Sequence, residues 1–125
     1  MLFTSYFARS RDFPSTARQI AICRYPPKWY TGYVYPQLAP TASLLERYKA
    51  KEITEEQYKD IYWSETLSLF VPEHLYPYLD TGPLTFILCH EESTVFCHRH
   101  LVAQWINLSY GETLVTEYTG SKGDR

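Results

Sequence analysis

Glycine is scarce in this chain, five residues in 125, and none falls between Thr85 and Gly111. That gap excludes a tight backbone cradle for phosphate, which needs glycine for its backbone angles. No apolar run approaches the roughly 18 residues of a membrane-spanning helix. The opening segment, Met1 to Phe7, lacks the basic lead and long apolar centre of a secretory signal. A cytoplasmic location with no membrane partner is therefore expected. The cysteines, Cys23, Cys89 and Cys97, are odd in number and form no disulfide-like framework, so reduced thiols are expected. A formal net charge of −2 argues against a strong non-specific grip on nucleic acid, although a local basic patch is compatible with it. Internal repeats and low-complexity segments are absent.

What is present is hydrophobic and aromatic. Hydrophobic residues make up 45% of the chain, enough for a real core. Aromatics reach 17%, with twelve tyrosines; these supply core area in a small protein and also stack on rings and bases. The length fits one domain, taken as residues 1–120, followed by a flexible tail at 121–125.

Leu2 to Phe7 and Gln19 to Cys23 are rich in strand formers. Pro26, Pro27, Pro36 and Pro40 interleave with Trp29, Tyr30, Tyr33 and Tyr35, which predicts a long ordered loop. Thr41 caps a helix from Ala42 to Ala50. Thr54-Glu55-Glu56-Gln57 is a capping box opening a helix that runs to about Phe70. Pro72 suits the first turn of a short helix to Tyr78. Leu84 to Cys89 reads as a strand buried on both faces. Cys97 to Ile106 reads as a helix, and Thr113 to Glu117 as a last strand. The pattern predicts an α/β fold: a small single-domain layered structure, with a largely parallel sheet of about four strands flanked by helices. The first crossover, about a dozen residues, is short for a helix, so the placement of the first two strands is the least determined part.

The chemistry concentrates in Cys89-His90-Glu91 and Cys97-His98-Arg99, at one strand-to-helix junction. In a parallel sheet ligands bind beyond the carboxyl ends of the strands. Tyr6, Arg24, Cys89, Glu91 and Glu117 close or follow the four strands and would share one rim. Cys97 at a helix start would have its thiolate favoured by the backbone dipole. Arg99 could hold an anion with its fork, or instead pair with Glu91 or Glu92. Glu91 could accept a proton or orient Arg24 or Arg99. Five residues of zinc-ligand type occur here, but their spacing matches no zinc finger or ribbon, and adjacent residues at a helix start point in different directions. No metal or cofactor is expected. A phosphatase-like loop is disfavoured as well: nine residues separate Cys89 from Arg99, without glycine.

The strand ending Leu88-Cys89-His90-Glu91, the Cys97-His98-Arg99 element, Arg24 with Pro27, Leu38-Ala39-Pro40 and the Tyr58 to Leu67 helix together resemble the family called domain of unknown function 488. The resemblance covers most of residues 2 to 107. The opening Thr4-Ser5-Tyr6-Phe7 is similar to a branch found in bacteria and their phages. The resemblance implies a compact intracellular α/β domain without dictating a reaction. His90 stands where relatives commonly carry an aromatic or small residue, which leaves it peripheral.

Two functions compete, and neither an enzyme nor a pure binding role is excluded. In the first, a small anionic ligand such as a nucleotide or modified base is bound, with or without being processed. Arg24, Arg99 and His98 would hold it, Tyr6, Trp29 or Tyr30 would stack on it, and Cys97 and Glu91 would be the catalytic pair. In the second, the aromatic loop 24–35 is a module for nucleic acid or protein. A third reading makes Glu91, Arg24 and Arg99 a buried ion network that closes the sheet edge.

Overall fold

The computed structural model describes residues 1–91 and 96–119. Among the described residues, five strands form one sheet: β1 (Leu2–Tyr6), β2 (Arg18–Ala21), β3 (Tyr33–Val34), β4 (Thr85–Cys89) and β5 (Val115–Glu117). Their order is β3-β2-β4-β1-β5, and every pairing is parallel. The helices are α1 (Ala42–Lys49), α2 (Glu55–Glu65), α3 (Pro72–Leu79) and α4 (His98–Tyr110), with short 3₁₀ segments between some elements. No helix among the described residues is long and apolar enough to cross a membrane.

β4 is buried along its whole length, as a strand covered on both faces must be. It lies between β1 and β2, with Thr85 opposite both Leu2 and Arg18. That insertion resolves the short first crossover. β1 and β2 are parallel but not neighbours, and the chain between them needs only a 3₁₀ turn (Phe7–Asp12) and a bend to pass β4.

The fifth strand is the element that the sequence pattern did not reveal. β3 lies inside the proline- and tyrosine-rich loop, and it is only two exposed residues long, pairing Tyr33 with Ile20 and Val34 with Ala21. Prolines bar a central strand but tolerate a short edge strand. The second helix also ends earlier than its periodicity suggested. α2 stops at Glu65, and a 3₁₀ turn (Leu67–Leu69) carries the chain to α3. Its predicted capping box is present: Gln57 N donates to Thr54 Oγ1 at 3.1 Å, and Thr54 N to Gln57 Oε1 at 2.8 Å. Helix α4 runs past Ile106 to Tyr110 and ends at Gly111, whose φ of 69° is the left-handed conformation that favours glycine at a helix end. The predicted tail at 121–125 lies outside the described residues.

Two apolar layers cover the sheet. Phe13 stacks on Phe86 with ring centroids 3.7 Å apart, and Phe3 and Tyr118 pack around the pair. α2 and α4 contribute Tyr58, Tyr62, Leu101, Val102, Trp105 and Ile106 to the core. The Tyr62 hydroxyl is buried and donates to the Leu38 carbonyl at 2.6 Å, tying α2 to the segment before α1.

Candidate functional site

Strand order determines where a crevice opens. From β2 the chain runs to the β3 edge, and from β4 it runs through α4 to the β5 edge. Neighbouring strands whose connections leave in opposite directions part at their carboxyl ends, and ligands bind there. A cleft of about 240 Å³ lies at this point. Cys23 and Arg24 line it from the end of β2, and Cys89, His90 and Glu91 from the end of β4. Phe96, Cys97 and His98 line it from the start of α4, and Leu45, Tyr48, Lys49 and Tyr58 from α1 and α2. The volume falls below the drug-sized range of roughly 300–1,000 Å³, so it suits a small ligand or one end of a larger one.

The floor of the cleft is a set of three close contacts. Cys89 Sγ and Cys97 Sγ are 2.8 Å apart. Cys97 Sγ lies 3.6 Å from His98 Nδ1. His98 Nε2 lies 2.8 Å from the Ile22 carbonyl oxygen. A carbonyl only accepts, so Nε2 carries the proton, and in the neutral ring Nδ1 faces the thiol with a free lone pair. Cys97 is the N-cap of α4, with extended backbone angles of −152° and 151°. Both side chains are buried and lie against each other. This corrects the expectation that Cys97 and His98 diverge.

The thiols are electrostatically unequal. Cys97 is held well below the ordinary thiol range, first by its hydrogen bond with Cys89, and further by His98 once its ring takes up a proton and by the Arg99 backbone amide, which together outweigh burial. Cys89 is pushed well above that range, first by burial and then by its hydrogen bond with Cys97. Burial also raises Cys23, to about 11.

Cys89, Cys97 and His98 are also the group among the described residues whose ligand-type atoms fall within 4.8 Å of one another. Two sulfurs bound to one tetrahedral zinc at about 2.3 Å each would stand roughly 3.8 Å apart. At 2.8 Å they are closer than two sulfurs on one metal can be, and a metal would have to push them apart by about 1 Å.

Below this floor lies Arg99, with no exposed surface. Its Nε and Nη2 donate to the two Glu117 carboxylate oxygens at 3.1 and 2.9 Å. Its Nη1 donates to the Glu91 carbonyl at 2.6 Å and approaches Cys89 Sγ at 3.7 Å. Thr4 Oγ1 donates to Glu117 Oε1 at 2.7 Å, and the guanidinium lies 5.8 Å from the Tyr6 ring centroid. A buried network does exist, but its carboxylate is Glu117 on β5. Of Glu91 only the backbone oxygen joins it, while the side chain is exposed and lines the cleft. Glu92, the other expected partner, lies outside the described residues.

The predicted site residues therefore divide by position. Cys97, His98, Glu91 and Arg24 line the cleft, and Arg24 is exposed there, with one long bond to the Pro40 carbonyl at 3.4 Å. Arg99 and Tyr6 lie beneath it. Trp29 and Tyr30 pack edge-on against Phe7 and are not among the lining residues. His90, set aside as peripheral, lines the cleft, with Nε2 2.9 Å from the Tyr25 carbonyl and its ring on Phe7. Lys49 and Tyr48 were not anticipated. Helical position alone makes them a solvated lysine and an apolar-face tyrosine, and only the packing of α1 against α2, with Tyr48 on Tyr58 and Phe96, brings them to the cleft.

This is a parallel α/β domain with two thiols and an imidazole clustered at its topological switch point. The chain belongs to the DUF488 family: the model of DUF488-N3a, described as the active DUF488-N3 subclade, matches residues 6–110. No curated protein and no solved structure matches the chain.

Proposed function

We propose that the protein acts on a small anionic ligand, such as a nucleotide or modified base, through the thiolate of Cys97. The observation that carries this reading is the placement of Cys97 Sγ between a thiol donor at 2.8 Å and an imidazole nitrogen at 3.6 Å, on the wall of an open cleft. A nucleophile beside a base that is itself oriented by a third group is the arrangement that activates cysteine. His98 takes the base role, and the Ile22 carbonyl orients it. Anion binding falls to the exposed cations on the cleft wall, Arg24 and Lys49. Arg99, neutralised by Glu117, becomes a positioning residue for Cys89 and the start of α4. Glu91 faces the ligand space and can accept a proton from the ligand there.

Alkylation with two reagents of equal reach and different charge tests the proposal. Iodoacetamide should modify Cys97 before Cys23 or Cys89, and Cys97→Ser should remove the fast phase. Iodoacetate, an anion, should lose about fivefold in rate relative to iodoacetamide in Arg24→Ala or Lys49→Ala, the equivalent of about 1 kcal/mol of charge attraction near a protein surface. A fast phase that survives Cys97→Ser removes the nucleophile. An unchanged reagent ratio in both cation variants removes the anion site.

A further inference from the structure

We infer that Cys89 is a resolving thiol, and that the Cys89–Cys97 pair is a dithiol centre that reduces a hydroperoxide while closing to a disulfide. The inference rests on the reading of Cys97 as nucleophile and assigns its neighbour a second chemistry. Three observations carry it. The sulfurs are already 2.8 Å apart, and closing to a bond of about 2.05 Å needs a smaller movement than opening to hold a metal. Both sulfurs line the same cleft, so an oxidant that reaches one is beside the other. Arg99 Nη1 stands 3.7 Å from Cys89 Sγ, where it supports negative charge on that sulfur as it loses its proton.

Cys97 passes its proton to His98 Nδ1, and the resulting thiolate attacks the terminal oxygen of the hydroperoxide; an S–O bond forms, the O–O bond breaks, and the leaving alkoxide takes that proton back from His98. Cys97 is then a sulfenic acid. Cys89 sulfur attacks the sulfenic sulfur; an S–S bond forms, the S–O bond breaks, and the departing hydroxide leaves as water with the proton that Cys89 gives up. Two thiols lose two electrons, and the hydroperoxide becomes an alcohol plus water. An external thiol reopens the disulfide by exchange. Burial of both sulfurs favours a small oxidant, and Cys23, which lines the same cleft, has its thiolate suppressed by burial.

The test treats the reduced full-length chain with stoichiometric hydrogen peroxide, with dimedone present as a sulfenic-acid trap. The wild-type protein should lose two hydrogens in intact mass, yield a Cys89–Cys97 disulfide on peptide mapping, and regain both thiols with dithiothreitol. Dimedone adduct at Cys97 should stay below about a tenth of the protein, because an adjacent thiol outruns a dissolved trap. In Cys89→Ser the adduct should become the main product. The inference is overturned if wild-type Cys97 is trapped or over-oxidised without disulfide, or if the disulfide involves Cys23. Iodoacetamide labelling of the same samples separates the two readings. Rapid alkylation without disulfide sinks the resolving role alone, whereas a Cys97 inert to both reagents sinks the nucleophile as well. The wild-type trapping result stands even if Cys89→Ser folds poorly.

Discussion

Removing the charge of Glu117 should damage the protein from beneath the cleft. Glu117→Gln keeps the shape of the side chain but places an amide group against the guanidinium in place of one oxygen. Arg99, fully buried, then keeps the Glu91 carbonyl and loses its counter-charge. Removing one partner of a buried ion pair costs about 3–5 kcal/mol, chiefly through the uncompensated charge left behind. The Glu117 side chain is 16% exposed, so solvent relieves part of this, and one oxygen still accepts a bond. The expected loss is about 2–3 kcal/mol. With a urea slope of about 2 kcal/mol per molar for a domain of this size, the unfolding midpoint should fall by about 1–1.5 M with the slope unchanged. The double variant Glu117→Gln/Arg99→Met discriminates the cause. Removing the stranded charge should recover at least half of the lost stability, because an apolar replacement of a buried pair is often neutral. A single-variant loss under about 0.5 kcal/mol, or a double variant less stable than the sum of the two single changes, would refute the argument.

Two further measurements probe the site and its support. The pH profile of iodoacetamide labelling reads the Cys97 thiolate directly. Because the thiolate is the reactive form and its pKa is lowered, the midpoint of the rate profile should lie well below the ordinary thiol range, and Cys89→Ala, which deletes the neighbouring thiol, should move it upward. A midpoint that does not move would show that Cys89 contributes nothing to the ionisation. Tyr62→Phe strands the buried Leu38 carbonyl and should cost about 1–2 kcal/mol by denaturant unfolding, while the labelling rate of Cys97 stays within about twofold.

Much of the frame was legible because local rules govern it. Thr41 and Thr54 announce their helices through side-chain oxygens that serve backbone amides three residues on, an interaction confined to one turn. The unbroken apolar run of β4 marks a strand covered on both faces. Where the pattern misled, the deciding force was not local. β3 exists only because Ile20 and Ala21 offer a free edge to Tyr33 and Val34. α2 yields to a 3₁₀ turn although the apolar spacing continues to Leu69.

By itself the sequence determined that sulfur, imidazole and guanidinium cluster at one strand-to-helix junction, since Cys89 and the Cys97-His98-Arg99 run are close along the chain. Their division of labour belongs to the tertiary structure alone. Arg99 faces Glu117 because β5 lies beside β1 at the far side from β2, a consequence of strand order that no spacing encodes. His98 turns toward Cys97 because the Ile22 carbonyl, 76 positions earlier, holds its other nitrogen. Arg24 and Lys49 meet at one cleft because neighbouring strands send their connections to opposite edges of the sheet. Hydrogen bonds and ion pairs act over a few ångströms in space, so residues far apart in the chain acquire roles only once the sheet has brought them within that range.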